Sequence, residues 1–406
     1  MSTGLAPAPA AAPVSAPALA LARDLTQRQL PAYVHDLGAL RAHVRTIRTA
    51  LPTGLELYYA AKANSEPPVL SALAGLVDGF DVSSGGELAH VRRHRPDVPL
   101  ALSGPGKTPD ELREALAAGV ERIHVESLHE LAVLDALATR PVSVLLRVNL
   151  PVPDDVLGDR ALTMGGSASP FGLAPADAEE ALRRSDAGAL PHLRILGIHA
   201  HLASGLSAAP QIAVARTVLT WARALFDRHA LPLCEVNVGG GMGVDYAVPA
   251  ERFDWAAYGD GMARLLAEHP GVAVRIEPGR AIAAYSGWYV TDVLDVKHSH
   301  GRDFAVVRGG THHLRTPATK GHDQPCRLLP IDTWEEPWPR PEGTLDRVDL
   351  VGQLCTPKDL LARDVAAQTP LRAGDRVAFA LAGAYAWNIS HHDFLMHLHP
   401  TFHHLD

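Results

Sequence analysis

Short apolar runs alternate with amphipathic stretches from about Glu56 onward, which is the pattern of parallel strands joined by helices. The eight runs cover residues 56–64, 79–84, 99–105, 122–127, 143–149, 195–202, 235–241 and 273–279. Successive strand and helix units in this number are typical of a TIM barrel, whose active site is built at the C-terminal ends of the strands. We therefore predict an α/β fold with a TIM barrel.

Two helix starts between these strands are explicit in the sequence. Thr108 with Glu111, and Ser127 with Glu130, both have the spacing of a capping box, in which each side chain bonds to the backbone N–H of the other residue. Gly119 is expected to end the first of these helices.

The pattern changes after about Tyr285, where alternating apolar residues recur between turn-rich stretches and predict a second, β-rich domain. These runs cover residues 289–297, 304–309, 348–354 and 376–383. The extended segment 31–36 is expected to add a strand to that domain, which would then be discontinuous in sequence. The predicted boundaries are a disordered Ala/Pro-rich tail at 1–24, an N-terminal segment of the β domain at 25–44, the barrel at 45–284 and the C-terminal β domain at 285–406.

Composition excludes several classes of protein. The chain has 406 residues, of which 47% are hydrophobic and 20% charged, as in globular proteins. A net charge of −8 gives no basic surface for nucleic acid, and no apolar run is long enough to predict a membrane span. Three cysteines without a CxxC pair argue against a disulfide framework, and the N-terminus lacks the charge pattern of a signal peptide. We therefore expect a cytoplasmic protein.

Polar and reactive residues recur where the predicted strands end, and these positions converge on one mouth of a barrel. They are Lys62, Asp81, Ser83, Ser103, Glu126, Arg147, His199, His201, the glycines 239–241 and Glu277. Burial of Lys62 within its apolar run would lower the pKa of the amine, which suits Schiff-base chemistry. The alternative is a lysine that only extends its ammonium group from a strand end into solvent.

Glycines follow the last two predicted barrel strands, at 239–241 and at Gly279, where barrels build phosphate sites from backbone N–H groups. A dinucleotide site is disfavoured because Gly239, Gly241 and Gly243 have GxGxG spacing, whereas such a site needs GxGxxG. These glycines also occur late in the series of strands. An ATP-binding loop ending at Lys107 is rejected, since Ala101 occupies the place of the first glycine of such a loop.

Eight motifs occur in a fixed order between residues 58 and 385: YYAAKAN, FDVSSGGEL, SGPGKT, HAHLASG, VNVGGG, EPGR, VGQLC and GAY. In this order they resemble the fold-type III pyridoxal-phosphate decarboxylases, which include diaminopimelate and ornithine decarboxylases. The stretches MGGSASPFG, LCTPKDLLARD and NISHHDFLMHLHP are most similar to decarboxylases of carboxylate-siderophore biosynthesis, of the staphyloferrin B and achromobactin type. The resemblance implies an alanine racemase-like fold, with a TIM barrel that binds pyridoxal 5'-phosphate and a C-terminal β-rich domain.

The resemblance also implies roles for individual residues. Lys62 matches the lysine that binds the cofactor covalently, and His201 matches the histidine that stacks on its ring. Glu277 corresponds to the carboxylate that faces the pyridine nitrogen, where it keeps the ring protonated and thus a strong electron sink. Related alanine racemases have an arginine there, so Glu277 favours decarboxylation. The implied phosphate contacts are Ser204, Gly239, Gly240, Gly241, Gly279, Arg280 and Tyr385.

Cys355 matches the family cysteine that enters from the partner subunit and protonates the carbon that has lost CO2. The resemblance therefore implies a homodimer with shared active sites. From the residue type alone, an inert buried cysteine is favoured, since free cysteine usually packs as a small apolar side chain.

The residue after Cys355 departs from the family. Diaminopimelate decarboxylases have a glutamate there and ornithine decarboxylases an aspartate, each for the distal end of the substrate, whereas this chain has Thr356. A free distal amine therefore lacks its expected partner. Conversely, the stretch 311–322 is rich in residues that can carry positive charge, which suits a polycarboxylate, although a solvated basic loop is the alternative. The expected substrate residues are Arg147, Arg315, His312, Thr356 and His391.

Histidine pairs at 199/201 and 312/313 and a histidine-rich C-terminus invite a metal hypothesis. The sequence contains no HExxH motif and no cysteine pair near these histidines, so we predict no metal site.

The predicted function is removal of the α-carboxylate of a citrate-conjugated amino acid, citryl-L-2,3-diaminopropionate, to give citryl-ethylenediamine in siderophore biosynthesis. The alternative within the family is a diaminopimelate, ornithine or lysine decarboxylase acting on the free amino acid. A third hypothesis, a cofactor-holding regulatory protein without turnover, is disfavoured because Lys62, Glu277 and Cys355 are all present.

Overall fold

The structure is a computed structural model that describes residues 13–152, 162–163 and 165–406. Its strands are β1 (Ala32–Asp36), β2 (Leu55–Ala60), β3 (Gly79–Val82), β4 (Leu100–Leu102), β5 (Arg122–Val125), β6 (Val142–Arg147), β7 (Leu162–Thr163), β8 (Leu193–His199), β9 (Ala203–Ser204), β10 (Glu235–Asn237), β11 (Ala273–Ile276), β12 (Gly287–Ser299), β13 (Arg302–Val307), β14 (Cys326–Leu329), β15 (Arg347–Val351), β16 (Leu360–Ala366), β17 (Arg376–Phe379) and β18 (Thr401–Leu405). Its α-helices are α1 (Ala16–Asp24), α2 (Leu37–Ala50), α3 (Pro67–Leu73), α4 (Gly85–His94), α5 (Pro109–Ala117), α6 (Leu128–Leu137), α7 (Pro175–Asp186), α8 (Ala208–Arg228), α9 (Trp255–Glu268), α10 (Arg280–Ala283) and α11 (Thr316–Lys320).

The chain divides into two compact units. Within the described residues, the barrel unit comprises 41–243 and 253–282, and the β unit comprises the residues up to 40 together with 244–252 and 283–406. The barrel was predicted as one continuous stretch of sequence, 45–284. In the structure, residues 244–252 within that stretch group with the β unit instead. There Tyr246 packs on His322 with ring centroids 4.4 Å apart, and the Arg252 guanidinium lies 4.4 Å from the centre of the Tyr285 ring.

Eight parallel strands close the barrel in the order β2, β3, β4, β5, β6, β8, β10 and β11, and β11 pairs back to β2. Each strand overlaps one of the eight predicted runs, so the predicted TIM barrel is confirmed. Apolar side chains such as Leu57, Phe80, Leu100 and Val144 are fully buried, as expected for parallel strands covered on both faces. Polar residues at the strand ends are thereby brought to one side of the barrel.

The two predicted capping boxes differ in the structure. At the start of α5, Glu111 N–H donates to Thr108 Oγ1 and Thr108 N–H donates to Glu111 Oε2, so this capping box is complete. At α6, Ser127 accepts from Glu130 N–H, but the Glu130 carboxylate accepts from Lys107 Nζ and from Glu126 N–H instead. The second prediction was therefore wrong in its reciprocal half, because a buried ammonium competes for the carboxylate more strongly than a backbone N–H does.

The β unit contains an eight-stranded mixed sheet. Six strands follow the order β14, β17, β12, β13, β15 and β16, while β1 pairs antiparallel with β12 and parallel with β18. The segment 31–36 thus contributes a strand to this sheet. Helix α2, however, begins at Leu37, and its buried residues Val44 and Ile47 belong to the barrel unit. Residues 41–44 were predicted to belong to the β unit, but they group with the barrel unit.

Part of the predicted disordered tail is ordered. Residues 1–12 lie outside the described residues, but helix α1 occupies Ala16–Asp24, and its Ala18 and Ala22 are buried in an apolar cluster with Val34 and Trp288. Arg376 donates to the carbonyl of Ala22, which satisfies a C-terminal carbonyl of the helix. An alanine-rich segment therefore folds here because tertiary packing covers its small apolar face. Among the described residues, no helix is long and apolar enough to cross a membrane.

Candidate active site

Lys62 lies in a short 3₁₀ turn, Ala61–Ala63, directly after β2. Its Nζ donates to Asp81 Oδ2 at 3.0 Å and to Ser83 Oγ at 3.1 Å, and its side chain is 43% exposed. Of the two alternatives for Lys62, burial within the apolar run and extension from a strand end, the exposure agrees with the second, because the turn directs the side chain out of the run. The amine instead lies at the end of β2, beside polar groups from the end of β3.

Asp81 is the buried partner in this group. Its side chain is fully buried, and its Oδ1 accepts from Ser103 Oγ at 2.7 Å. Burial, together with the negative charge of Glu277, raises the pKa of Asp81 to about 6, against the opposing effect of the Lys62 ammonium. Asp81 therefore changes its charge near neutral pH.

Glu277 follows β11 and is held by donors from two neighbouring strands. Asn237 Nδ2 donates to Glu277 Oε1 at 2.5 Å, and His199 Nε2 lies 3.2 Å from Glu277 Oε2. The Glu277 side chain is 7% exposed, so a small part of it remains accessible. The Asn237 contact connects Glu277 to the glycine run, since Asn237 Oδ1 also accepts from the backbone N–H of Gly239.

The glycine run 239–241 packs tightly against neighbouring backbone. Gly239 and Gly241 have φ values of +74° and +92°, which favour glycine. A Cβ atom on Gly241 would lie 2.1 Å from the Ala203 carbonyl oxygen, and one on Gly240 would lie 2.4 Å from the Glu277 carbonyl oxygen. Side chains are thus excluded at all three positions, which leaves a surface of bare backbone that a phosphate group can approach closely.

His201 is joined to this run. Its Nδ1 accepts from Gly240 N–H at 3.1 Å, and its Nε2 lies 3.3 Å from Ser204 Oγ. Burial and the nearby charges of Lys62 and Arg147 lower the pKa of His201 to about 3, so the ring is neutral at physiological pH. Gly279 lies between β11 and α10, and Arg280 is the first residue of α10, on the same side of the barrel as these groups.

Arg147 ends β6 and lies in a buried ion pair. Its Nη1 donates to Glu126 Oε1 at 2.6 Å, and its guanidinium lies 5.0 Å from the centre of the Phe171 ring. Glu126 Oε2 accepts from the backbone N–H of Gly172. The guanidinium thus positions the loop before α7, and its expected contact with substrate stays a prediction.

Cys355 and Thr356 lie in a turn after β15 in the β unit. Cys355 is exposed, which contradicts the alternative of a buried, inert cysteine. The turn is held by Asp359, whose carboxylate accepts from the backbone N–H of Leu354 at 2.8 Å and from that of Thr311 at 2.6 Å. The exposed Cys355 thiol therefore projects from a turn that the Asp359 hydrogen bonds hold in place.

A second polar cluster in the β unit connects the loop before α11 with the histidine-rich C-terminal segment. Arg315 Nη1 lies 2.7 Å from His391 Nδ1, and Arg315 N–H donates to Ser390 Oγ. His312 is fully buried, packs against the His397 ring with centroids 5.0 Å apart, and has no hydrogen-bond partner on either ring nitrogen among the described residues. Arg315 and His391 thus meet in this cluster and His312 packs on His397, while a role for these residues in substrate binding stays a prediction.

Two other residues of the β unit, His392 and the expected phosphate contact Tyr385, have structural contacts. His392 stacks on the Trp387 ring with centroids 3.6 Å apart. Tyr385 has a φ of +50°, and its carbonyl accepts from Thr316 Oγ1 at 2.7 Å, which anchors this strained residue. Lys320, one of the residues of the stretch 311–322 that can carry positive charge, has a side chain outside the described part of the chain.

Sequence reasoning missed three residues of these clusters. Asn237 occupies the last position of β10, Asp359 follows the VGQLC motif, and His124 lies inside the apolar run of β5. His124, His199 and Glu277 have ligand atoms within 4.8 Å of one another. A polar residue inside a buried strand was the available signal for His124, but its partners come from strands distant in sequence.

The model of the family described as "Pyridoxal-dependent decarboxylase, pyridoxal binding domain" matches residues 37–284. The chain is 38% identical over 378 residues to the 2-[(L-alanin-3-ylcarbamoyl)methyl]-2-hydroxybutanedioate decarboxylase of Staphylococcus aureus, covering 91% of this chain and 92% of the relative. It is 31% identical to the L-glutamyl-[BtrI acyl-carrier protein] decarboxylase of Niallia circulans, covering 93% and 89%. The crystal structure of diaminopimelate decarboxylase from Helicobacter pylori, complexed with L-lysine, superposes with a TM-score of 0.76 at 26% identity, covering 89% and 88%.

Proposed function

The chain belongs to the pyridoxal-dependent decarboxylases, with pyridoxal phosphate as its cofactor, and we propose that its substrate is an amino acid already joined by an amide to citrate. The specific reaction is removal of the α-carboxylate of citryl-L-2,3-diaminopropionate as CO2, leaving citryl-ethylenediamine, in siderophore biosynthesis. The Staphylococcus aureus relative is named for such a compound, since a hydroxybutanedioate with a carbamoylmethyl arm is a citrate skeleton with one carboxyl group converted to an amide.

The observation that carries this proposal is the pairing of Arg315 with His391 beside His312. The Arg315 guanidinium and the His391 imidazole carry hydrogen-bond donors that suit carboxylate groups, whereas His312 is fully buried. Thr356 supports the same substrate, because it places a neutral hydroxyl where a free distal ammonium would need a carboxylate.

The barrel residues support the cofactor site. Pyridoxal phosphate, when bound, supplies the electron sink that makes loss of CO2 feasible. We assign its covalent attachment to Lys62, whose amine is exposed at the strand ends, and its pyridine nitrogen to Glu277. In this assignment His201 lies against the ring, while Ser204, the glycines 239–241, Gly279, Arg280 and Tyr385 hold the phosphate. The bare backbone of the glycine run fits that role.

Cys355 supports a homodimer. In the proposed assembly its thiol enters the active site of the partner subunit and donates the proton that replaces the departing carboxylate. Exposure of the thiol on a turn held by Asp359 fits this role, because a proton donor has to reach the substrate carbon. The three free cysteines are compatible with the reducing cytosol that the proposal assumes.

The runner-up is a diaminopimelate, ornithine or lysine decarboxylase, and the likeness in structure to a diaminopimelate decarboxylase keeps it in the test. The purified protein is incubated with a panel of free α-amino acids and citrate conjugates, and CO2 release and product mass are measured. The proposal expects the citrate conjugate to turn over fastest. Faster turnover of diaminopimelate, ornithine or lysine would overturn it.

A matched pair of variants tests the polycarboxylate contact. Arg315→Ala should raise KM for the citrate conjugate by about tenfold or more, since a hydrogen bond to a charged group is lost. Arg363→Ala is the control, because Arg363 pairs with Asp323 on an exposed part of the same unit. Equal KM values for the two variants would remove Arg315 from the substrate site.

A further inference from the structure

Four buried side chains from the barrel strands and their ends form a cluster that includes the Glu277 carboxylate. They are His124 on β5, His199 at the end of β8, Asn237 at the end of β10 and Glu277 itself, with exposures of 0%, 2%, 0% and 8%. Asn237 donates to one carboxylate oxygen and His199 approaches the other. None of the family motifs assigns a role to His124 or His199.

The hydrogen bonding of His199 determines which of its nitrogens carries the proton. Burial and the charges of Arg147, Lys62 and Lys107 lower the pKa of His199 well below its usual value, so the ring is neutral and has one N–H. Nδ1 has no partner among the described residues, whereas Nε2 lies 3.2 Å from Glu277 Oε2. A proton on Nδ1 would leave a buried N–H unpaired and direct a lone pair at a carboxylate, so the proton belongs on Nε2.

We propose that His199 is a positioning residue for Glu277, donating from Nε2 to hold the carboxylate in its orientation, with the His124 ring packed against His199 to fix it in place. The effect on cofactor binding rests on the proposed function, in which Glu277 faces the pyridine nitrogen. Asn237 and His199 are two uncharged donors, so they stabilise the carboxylate without neutralising its charge. That negative charge remains available to a protonated pyridine ring of the cofactor.

His124 acts through packing. Its ring lies 4.2 Å from that of His199, centroid to centroid, at an interplanar angle of 14°. Neither of its nitrogens has a hydrogen-bond partner among the residues that the structure describes, and its Nδ1 is 3.9 Å from Glu277 Oε1, beyond hydrogen-bond distance. Burial and the neighbouring His199 lower the pKa of His124 as well, so the pair stacks as two neutral rings.

A metal ion is the competing interpretation, because ligand atoms of His124, His199 and Glu277 lie within 4.8 Å of one another. The lone pair of an imidazole nitrogen lies in the ring plane, and two nearly parallel stacked rings direct their lone pairs side by side. Zinc needs ligands that converge tetrahedrally on one point. The stacked geometry therefore favours the positioning role.

Two amide substitutions separate the hydrogen bond from ring packing. In His199→Gln the side-chain amide nitrogen can take the place of Nε2, whereas in His199→Asn the shorter side chain places the amide near Nδ1, away from Glu277. His199→Gln should therefore retain the donor, and His199→Asn should lose it. Loss of a donor leaves the buried Glu277 carboxylate with one hydrogen bond fewer and free to turn away from its position.

The measurement is the Kd of pyridoxal phosphate for the apoprotein, followed by quenching of tryptophan fluorescence. His199→Asn should weaken binding by about tenfold to a hundredfold relative to His199→Gln, the range expected for one hydrogen bond to a charged group. The other charged or titratable groups that act on this cluster are Asp81, Lys62, Lys107, Arg147, His201 and Arg275, all present in both variants. Identical affinities for the two variants would overturn the proposal.

Two measurements do not depend on the cofactor or the substrate. In apoprotein labelled with 15N-histidine, the resonances absent from His199→Gln identify His199, and their shifts should show the Nε2–H tautomer; a proton on Nδ1 contradicts the proposal. Zinc bound with 1:1 stoichiometry by the wild-type apoprotein, and lost in His199→Gln, would identify a metal site instead.

His124→Phe, which keeps a flat ring, should weaken cofactor binding less than His124→Ala. A failed substrate panel with these results intact would remove only the proposed substrate.

Discussion

Lys62 Nζ lies 3.0 Å from Asp81 Oδ2, and this contact joins an amine that is 43% exposed to a carboxylate that is fully buried. The buried partner orients the exposed one. Asp81 is itself held by Ser103, so the amine at the end of β2 is directed by residues from β3 and the loop after β4.

The first prediction concerns the attachment of the cofactor to Lys62. The purified holoprotein should be yellow, and borohydride should fix the cofactor irreversibly to the peptide that contains Lys62, because only its amine lies among the proposed cofactor contacts. Peptide mapping by mass spectrometry checks this. Lys107 is an internal control, since it donates to Gly104 O, His124 O and Glu130 Oε1 and is buried. Label on Lys107 would contradict the assignment.

The second prediction concerns the pH dependence of Asp81. Its folded-state pKa of about 6 is raised above the ordinary value of 3.8, so folding binds a proton between these two pH values. Asp81 therefore favours the folded state increasingly as pH falls from about 6 to about 4, and its ionised form costs stability above about 6. The free energy of unfolding of the wild type minus that of Asp81→Asn should accordingly be larger at pH 4.5 than at pH 8.

Denaturant unfolding of the two apoproteins at both pH values measures this difference. A difference independent of pH would mean that Asp81 has its ordinary pKa in the folded protein. Asp364→Asn provides a contrast, because its ion pair with Arg347 lowers the pKa of that exposed carboxyl group instead of raising it.

The third prediction concerns Glu277. Glu277→Gln should bind the cofactor more weakly but still take it up at saturating pyridoxal phosphate, because the glycine run and Ser204 are untouched, while kcat of the loaded protein falls by orders of magnitude. The physical reason is that the neutral amide no longer favours a proton on the pyridine nitrogen, and each 1.4 kcal/mol lost in the transition state costs about tenfold in rate. Steady-state kinetics with a parallel cofactor assay checks this, and an unchanged kcat would show that ring protonation is not used.

The fourth prediction concerns Gly241. Gly241→Ala should destabilise the fold and weaken cofactor binding, because the new Cβ would lie 2.1 Å from the Ala203 carbonyl oxygen and because φ is +92°. Gly119→Ala is the matched control, since its φ is +62° but nothing lies within 4 Å of a Cβ there. The control should show only the backbone strain of about 1–2 kcal/mol. Equal losses in thermal stability and cofactor affinity would mean that close packing at Gly241 is unimportant.

The fifth prediction concerns the shared active site. Lys62→Ala and Cys355→Ala should each be nearly inactive, and mixing them should restore activity, because a heterodimer contains one site with both native residues. Random pairing gives about half heterodimers, each with one working site, so recovery should approach about one quarter of the native rate per chain. No recovery despite proven subunit exchange would place Cys355 outside the partner's site.

The sequence by itself determined the eight barrel strands, the start of α5 and the end of that helix at Gly119, which has a φ of +62°. These features depend on hydrophobic periodicity and on contacts between residues close in sequence. The family motifs likewise placed Lys62, His201, the glycines 239–241 and Glu277 at strand ends, because the length of each apolar run sets where its strand stops.

Only the tertiary structure decided which of those residues touch. Lys62 is exposed because a turn follows β2, and Glu130 leaves its expected capping box because Lys107 reaches it from another loop. Helix α1 is ordered because the β unit covers its alanines. His199 and Glu277 are 78 residues apart, and their contact exists because barrel closure brings β8 and β11 to either side of β10. Contacts of this kind depend on strand order in three dimensions, which no local pattern of residues contains.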